Sequence, residues 1–152
     1  MAKLKQYLQT FRRRSLRLGR NRNASPRSGV AIVEFSVTLP ILVLIVLGTI
    51  EATSMIFLEQ SLEIAAYEGA RVAIVPNTEA VNCVLASQRI LDARGVYGAN
   101  VTVSPANFPS QPYGTPITVT VTASCAANAL FAPMFYSGRN ATAEVTMMKE
   151  RD

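Results

Sequence analysis

Glu34 is the residue of this sequence whose position makes the strongest chemical demand. It is the only charged residue between Arg27 and Glu51, and it follows Gly29 by five positions in a stretch that is mostly apolar. A carboxylate deep in a bilayer costs about 2.5 kcal/mol or more, so an intramembrane charge usually has a partner or a function. We therefore expect Glu34 either to pair with another group or to lie at the level of the lipid headgroups, where its cost is small.

Few other side chains could carry out chemistry. The chain has no histidine, which removes the commonest acid–base group and the commonest metal ligand. It has no glycine-rich phosphate loop, and its cysteines and scattered carboxylates lack the spacing of a metal site. We therefore predict no enzyme activity, no catalytic residue, no metal or other cofactor, and no small-molecule substrate.

The two cysteines, Cys83 and Cys125, have two interpretations. In an oxidising compartment they could form a disulfide, which would stabilise the fold by about 3–4 kcal/mol in the chain-entropy model. Alternatively, both are free and buried thiols. The sequence alone leaves both interpretations open.

The basic character of the chain is confined to its first 29 residues. These hold nine Lys and Arg and no acid, whereas residues 30–152 hold six basic and ten acidic residues, a side-chain charge of −4. A basic segment beside an apolar one usually fixes membrane orientation, because positive charge stays in the cytoplasm. We therefore predict a basic cytoplasmic leader at 1–29, a transmembrane helix at 30–50 and an extracytoplasmic α+β domain at 51–152, and no nucleic-acid partner.

The leader allows other interpretations. Its arginine pair, Arg13-Arg14, is compatible with a twin-arginine signal, and its lack of acid is compatible with a transit peptide. Neither interpretation accounts for Gly29 and Glu34 together. Residues 21–28 are polar and contain Pro26, which predicts an extended and accessible stretch before Gly29.

The helix is expected to continue beyond the membrane as an amphipathic segment, 51–75, that Pro76 ends. Glu68 is expected to pair with Arg71 on its surface. The small residues of this segment would allow its packing partner to come close, and we favour the domain core over another molecule as that partner. One buried face is predicted from the spacing of three and four residues between Met55, Leu58, Leu62, Ala65, Gly69 and Val72.

A second helix is expected after Pro76. Asn77 or Thr78 would cap its beginning, and Gly95 would close its end. Its predicted buried face consists of Val81, Val84, Leu85 and Leu91.

The C-terminal part of the chain reads as strands, because apolar residues alternate there with threonine. Strands are predicted near residues 101–104, 117–122 and 141–148. The predicted fold class is therefore α+β, in which a long N-terminal helix, transmembrane and then amphipathic, packs with a second helix on a small antiparallel sheet. The aromatic residues of the loops are expected to fill the core rather than to contact a partner: Phe108, Tyr113, Phe131, Phe135 and Tyr136.

The residues around Gly29 resemble the processing site of type IV pilin-like precursors. In those precursors a prepilin peptidase cuts after a glycine, and the fifth residue of the product is glutamate. Here the cut would fall between Gly29 and Val30, which makes Glu34 the fifth residue. The pair Glu34-Phe35 resembles the Flp/Tad branch. Similarity to TadE-like pseudopilins of the tight-adherence pilus system extends over about residues 27–75, through Leu39-Pro40, Gly48, Glu51 and Glu68-Gly69-Ala70-Arg71.

This resemblance implies a pilin-like fold and a processing site made of Gly29, Val30, Glu34 and Phe35. It implies a minor pseudopilin with one pass through a bacterial inner membrane, its N-terminus cytoplasmic and its C-terminal domain periplasmic or extracellular. The implied partners are the prepilin peptidase, other Tad pilins and pseudopilins, the Tad inner-membrane platform and the lipid bilayer. The implied role is pilus assembly in adhesion and surface attachment.

Two alternatives differ from this resemblance mainly at Gly29 and Glu34. The first is an uncleaved, signal-anchored envelope protein whose small extracytoplasmic domain binds a partner. The second is a secreted protein that ordinary signal peptidase releases without residues 30–50.

Overall fold

The structure, a computed structural model, describes residues 26–151 of the chain. The predicted leader lies outside these residues except for its last four positions. The described chain contains two α-helices and three strands, besides two short 3₁₀ turns: α1 Pro26–Ala73, α2 Ala80–Ala93, β1 Asn100–Ser104, β2 Pro116–Ser124 and β3 Asn140–Met148. The predicted α+β class, with its long first helix, second helix and small antiparallel sheet, is confirmed.

The chain divides into two compact units that meet between Leu42 and Val43. The described part of the first unit is a helical segment, residues 26–42. The second unit contains the remainder of α1, all of α2 and the sheet, and a hydrophobic core lies within it.

The C-terminal part of α1 buries one face in this core, as its periodicity predicts, although Val72 at the end of the predicted face is only half-buried. The side chains of Met55, Leu58, Leu62 and Ala65 are at most 3% exposed, and Gly69 is buried as well. Burial of apolar side chains on one helical face stabilises the helix far more than its intrinsic propensity does. This part of α1 is therefore held in place by the domain on which it packs.

The end of α1 is close to the predicted one. The helix stops at Ala73 and a single turn follows it, in which the Val75 N–H donates to the Val72 carbonyl at 3.3 Å. The early stop is explained by Pro76, which disfavours helical backbone at the residue before it. The predicted ion pair is also present, with Arg71 Nη1 3.5 Å from Glu68 Oε2.

Of the two predicted ends of α2, only the C-terminal one agrees with the structure. Glu79 occupies the N-cap position without a side-chain hydrogen bond to the helix, so the predicted cap at Asn77 or Thr78 is wrong. At the other end Gly95 has a φ of 66°, and the Val96 N–H donates to the Leu91 carbonyl at 2.9 Å. This is a Schellman motif, in which a left-handed residue closes the helix, and it confirms the predicted role of Gly95.

The buried face of α2 differs from the predicted one. Of the predicted residues only Leu91 is buried, whereas Val81, Val84 and Leu85 are 61%, 37% and 47% exposed. The buried residues are Cys83, Ser87 and Leu91, which recur every four positions. Small side chains at Cys83 and Ser87 let α2 approach α1 closely, whereas hydrophobicity alone favoured the larger residues on the neighbouring face.

The sheet is antiparallel with the order β1-β2-β3. Along β2 the residues Ile117, Val119 and Val121 point into the core and are completely buried. The threonines between them lie on the other face, where Thr118 and Thr146 share a hydroxyl hydrogen bond of 2.8 Å. The predicted alternation of valine or isoleucine with threonine is thereby confirmed.

The two helices and the sheet meet at Gly69. A Cβ atom built on Gly69 would overlap Ser87 Oγ and would lie 3.3 Å from Val119 Cγ1. Within the described residues Ser87 Oγ is buried and has no hydrogen-bond partner. Glycine at position 69 therefore allows a close helix contact in which a small polar side chain fills the space.

The loop aromatics were predicted to fill the core, and this is wrong for most of them. Phe108 is completely buried, but Tyr113, Phe131 and Phe135 are 64–68% exposed, and Tyr136 is half-buried. Phe108 is distinguished by a short 3₁₀ helix, Phe108–Ser110, that directs it inward. The other aromatics lie in irregular loops whose packing no periodicity encodes.

Lys149, just after β3, is a buried cation. Only 6% of it is exposed, and its Nζ donates to the carbonyl oxygens of Phe108 at 3.2 Å and Pro109 at 2.6 Å. Buried charged groups need such hydrogen bonds to offset their loss of hydration. Lys149 therefore fixes the loop that carries Phe108 against the end of the sheet.

Candidate processing site and the Glu51 loop contact

The predicted processing residues lie in the first three turns of α1. Gly29, Val30, Val33 and Glu34 together line a shallow groove on the helix surface. Val30 and Glu34 are four positions apart, so they occupy the same helical face one turn from each other. Phe35, the fourth predicted site residue, is 64% exposed and does not line this groove.

Gly29 has no steric reason within the described chain to be glycine. A Cβ built on it would lie within 4 Å of no described atom beyond the adjoining residues and the backbone of its own helix, and Gly29 is exposed and helical. Gly69 is the opposite case, because its neighbours leave no room for a side chain. Packing among the described residues therefore does not account for glycine at position 29.

The predicted extended stretch before Gly29 is wrong for residues 26–28, which are helical; residues 21–25 lie outside the described part of the chain. Pro26 is the first residue of α1. Proline fits the first helical turn because its missing N–H would have no partner there and its φ is already helical. A peptidase would thus meet the Gly29–Val30 bond in the first turn of a helix, where helices fray most easily.

The segment that follows has the properties of a membrane-spanning helix. In the described residues one helix, Gly29–Ala73, is long and apolar enough to cross a membrane, and every side chain from Val30 to Leu47 is exposed. Two of its hydroxyl groups are satisfied locally: the Ser36 and Thr38 hydroxyls donate to the carbonyls of Ile32 and Glu34 at 2.7 and 2.8 Å. Such bonds remove the need for water around hydroxyl groups inside a bilayer.

Glu51 makes a contact that the sequence pattern does not predict. Its Oε1 accepts hydrogen bonds from the backbone N–H groups of Phe135 at 2.9 Å and Tyr136 at 3.0 Å. Burial raises the pKa of the Glu51 carboxyl, but hydrogen bonds from the backbone of Phe135, Tyr136 and Met134 outweigh burial and hold the pKa below its ordinary value. Glu51 thus stays ionised and fixes the loop after β2 to the helix just beyond the predicted span.

A signal for this contact was present in the sequence. Glu51 is the first charged residue after the apolar run, and the segment 126–138 contains no charged residue. A carboxylate at the end of a span and an uncharged, proline-containing loop are each unremarkable alone. Their contact depends on how the sheet is placed beside the helix, which only the three-dimensional structure shows.

The two cysteines are both in the core and are not bridged in the structure. Cys83 lies on α2, and Cys125 directly follows β2; both are buried free thiols. Burial raises the pKa of the Cys83 thiol to about 11. The disulfide between Cys83 and Cys125 stays a prediction.

In residues 26–151 no group of three or more histidine, cysteine, aspartate or glutamate side chains is placed to hold a metal ion.

Comparison with known proteins bears on the helical segment. No curated protein and no solved structure matches the chain. A family model does match, and it begins at the glycine of the predicted processing site and ends near the close of α1. Residues 29–71 match the family described as TadE-like protein, so the chain has a TadE-like segment and the resemblance seen in its sequence is confirmed there.

Proposed function

We propose that this chain is a TadE-like minor pseudopilin that a prepilin peptidase processes and that takes part in Tad/Flp pilus assembly. The observation that carries the proposal is the TadE-like match beginning at Gly29, directly before an apolar helix with a lone carboxylate at Glu34. TadE-like proteins are structural components of a pilus system and not a known enzyme family. A Tad-associated pilus protein with one membrane helix is the function best supported by these features.

Processing would hydrolyse the peptide bond between Gly29 and Val30. Water adds across this bond, so that the leader ends in the Gly29 carboxylate and the product begins with the Val30 ammonium group. Among the described residues, none outside the adjoining helical backbone would meet a Cβ at Gly29, which supports a requirement set by the peptidase, whose narrow subsite would admit no side chain. Both residues of the bond are exposed, so a peptidase can reach them once the first helical turn opens.

The new ammonium group would give Glu34 a partner. Side chains on a helix point toward its N-terminus, so the Glu34 carboxylate is directed toward the turn that begins with Val30. An ammonium group and a carboxylate that pair in lipid offset part of each other's loss of hydration. In the same chain or in a neighbouring subunit, this pair would set the axial position of one helix relative to another.

The proposed location is a bacterial inner membrane crossed once by residues 30–50. The basic leader would stay in the cytoplasm, and residues 51–152 would lie on the other side. The proposed partners are the prepilin peptidase, the other Tad pilins and pseudopilins, and the inner-membrane platform of that system.

Complementation of a cell that lacks this chain tests the proposal. The Gly29→Leu variant should insert into the membrane, keep its leader and fail to restore pili. Gly48→Ala is a matched control in the same helix, because a Cβ there would make only an ordinary contact at 3.6 Å with Phe135, and it should restore pili.

Full restoration of pili by Gly29→Leu with its leader still attached would contradict the processing step. That result would leave an uncleaved, signal-anchored protein that acts in the pilus without processing. Normal piliation of the cell that lacks the chain would instead favour the alternative, an uncleaved signal-anchored envelope protein whose extracytoplasmic domain binds a partner.

A further inference from the structure

We propose that the loop after β2 lies in the lipid headgroup region of the leaflet from which α1 emerges, as a second membrane contact of the domain. We define this apolar loop as residues 129–136, which read Ala-Leu-Phe-Ala-Pro-Met-Phe-Tyr. The inference rests on the proposed insertion of residues 30–50 into a bilayer. It does not depend on processing or on pilus assembly.

The apolar loop exposes an unusual amount of hydrophobic surface. Leu130, Phe131, Met134 and Phe135 are 74%, 65%, 56% and 64% exposed, and the loop contains no charged residue. Clustered apolar surface of this kind marks a contact with another molecule or with a membrane. Single exposed hydrophobic residues would need no explanation, but four within six positions do.

The position of the loop identifies the membrane as its partner. The loop and the turn of α1 at the end of the predicted span enclose an apolar groove of about 340 Å³. Leu47, Ile50 and Ser54 form the helix side of this groove, and Leu130 and Phe131 are on the loop side. The exposed surface of the loop is therefore continuous with the surface of the helix at the level where it leaves the bilayer.

Two backbone N–H groups of the loop have a partner in the protein, and the residue before the loop is anchored as well. Irregular backbone is excluded from lipid unless its polar groups have partners in the protein. Glu51 Oε1 accepts from the N–H groups of Phe135 and Tyr136, and the Asn128 side chain holds the start of the loop through Tyr97, with bonds of 2.8 and 3.0 Å. Both ends of the loop are thus fixed, and the apolar side chains stand between them.

A cation borders the loop where phosphate groups would lie. Arg139 follows the loop, is exposed and stacks on the Tyr136 ring with its guanidinium carbon 5.8 Å from the ring centre. Arginine beside an aromatic residue is typical of membrane interfaces, because the ring lies among the headgroups while the charge reaches phosphate. A second copy of the chain would not require this order of apolar loop, aromatic ring and cation at the end of a span.

Tryptophan fluorescence in bilayers tests the proposal directly, because the chain has no native tryptophan. The full chain carrying Phe131→Trp or, separately, Phe135→Trp would be placed in nanodiscs of phosphatidylcholine brominated high on the acyl chains. Apolar surface at an interface lies about 5–10 Å into the headgroup and acyl boundary. Both tryptophans should therefore lose most of their emission, relative to nanodiscs of unbrominated lipid.

Two further variants serve as controls. Tyr113, the site of the Tyr113→Trp control, is as exposed as the loop residues. Its loop is held near the end of α1, because the Gly114 N–H donates to the Lys149 carbonyl and the Glu150 N–H donates to the Ile74 carbonyl. Ile74 is about 35 Å along the helix from Glu51, so this tryptophan should keep its emission. Leu44→Trp lies inside the predicted span and should be quenched if the helix is inserted.

The outcomes distinguish the membrane contact of the loop from the insertion of residues 30–50 on which it rests. Quenching of Leu44→Trp without quenching of either loop tryptophan would overturn the membrane contact of the loop and leave the span intact. A blue-shifted but unquenched loop tryptophan would likewise overturn it and point to a protein surface, such as a second copy, as the occupant. If Leu44→Trp is not quenched, residues 30–50 do not span the bilayer, and the premise of the inference is wrong.

Discussion

Gly69 on α1 and Ser87 on α2 are in direct contact, and the contact exists only because residue 69 has no side chain. A Cβ at position 69 would overlap Ser87 Oγ. Around this point α1, α2 and the sheet come together, with Val119 of β2 3.3 Å from the same Cβ position. The close approach of the two helices at this point therefore depends on one glycine and one small polar residue.

Gly69→Ala should destabilise the domain by about 1–3 kcal/mol, because overpacking forces the two helices apart. Alanine gains about 0.5–1 kcal/mol over glycine in a helix, which is too little to offset the overlap. Thermal unfolding of the detergent-solubilised chain, followed by near-ultraviolet circular dichroism, measures the change. Gly48→Ala is the matched control, and it should leave the midpoint unchanged or raise it.

Ser87→Ala should stabilise the domain, by about 1 kcal/mol, because its buried hydroxyl has no hydrogen-bond partner in the described residues. It should also reduce the cost of Gly69→Ala, since the overlapping oxygen is gone. A double-mutant cycle of these two positions measures the coupling. Independent, additive effects would count against a direct contact between Gly69 and Ser87.

The Glu51 contact predicts a specific acid sensitivity. The pKa of Glu51 is lower in the folded chain than its ordinary value of 4.5, so the contact stabilises the folded state above about pH 4.5 and this contribution is lost as the pH falls through the folded-state pKa. Glu51→Gln should therefore have a lower unfolding midpoint at neutral pH and a smaller further loss below pH 4.5. Glu59→Gln, an exposed carboxylate on the same helix, is the control and should follow the unmodified chain.

Lys149 should matter through its two hydrogen bonds. Lys149→Met keeps the length of the side chain but leaves the carbonyls of Phe108 and Pro109 without their donor. A loss of about 1–3 kcal/mol in the free energy of unfolding is expected. The exposed Arg151→Met provides the comparison, and an equal loss in both variants would show that the buried position of Lys149 is unimportant.

The thiol of Cys83 should be unreactive in the native protein. Its pKa of about 11 leaves little thiolate at neutral pH, and its sulfur is buried. Alkylation followed by intact mass determination should show no label on Cys83 until the chain is unfolded. Unfolding without reductant then decides the disulfide, since two alkylated thiols would contradict a bridge between Cys83 and Cys125.

Much of the fold could be predicted because it follows from periodicity. The stripe from Met55 to Gly69 and the alternation from Ile117 to Val121 each leave a regular pattern in the sequence. The face of α2 could not be predicted in this way. Hydrophobicity ranks Val81 and Leu85 above Ser87, whereas the structure selects Ser87 for its size.

The candidate site divides in the same way. Gly29 and Glu34 could be found from the sequence because a lone carboxylate in an apolar run is conspicuous, and the family match begins at the same glycine. Glu51 on α1 contacts Phe135, which is 84 positions away in an irregular loop, and no local sequence pattern encodes this contact. Nor does any local pattern explain why Phe108 is buried and Phe131 exposed.

The intact mass of the membrane-extracted chain, produced with and without its prepilin peptidase, tests the central proposal most directly. We expect a product that begins at Val30 only when the peptidase is present, so that the chain loses the mass of residues 1–29. A chain that keeps its leader in both cases would contradict processing after Gly29.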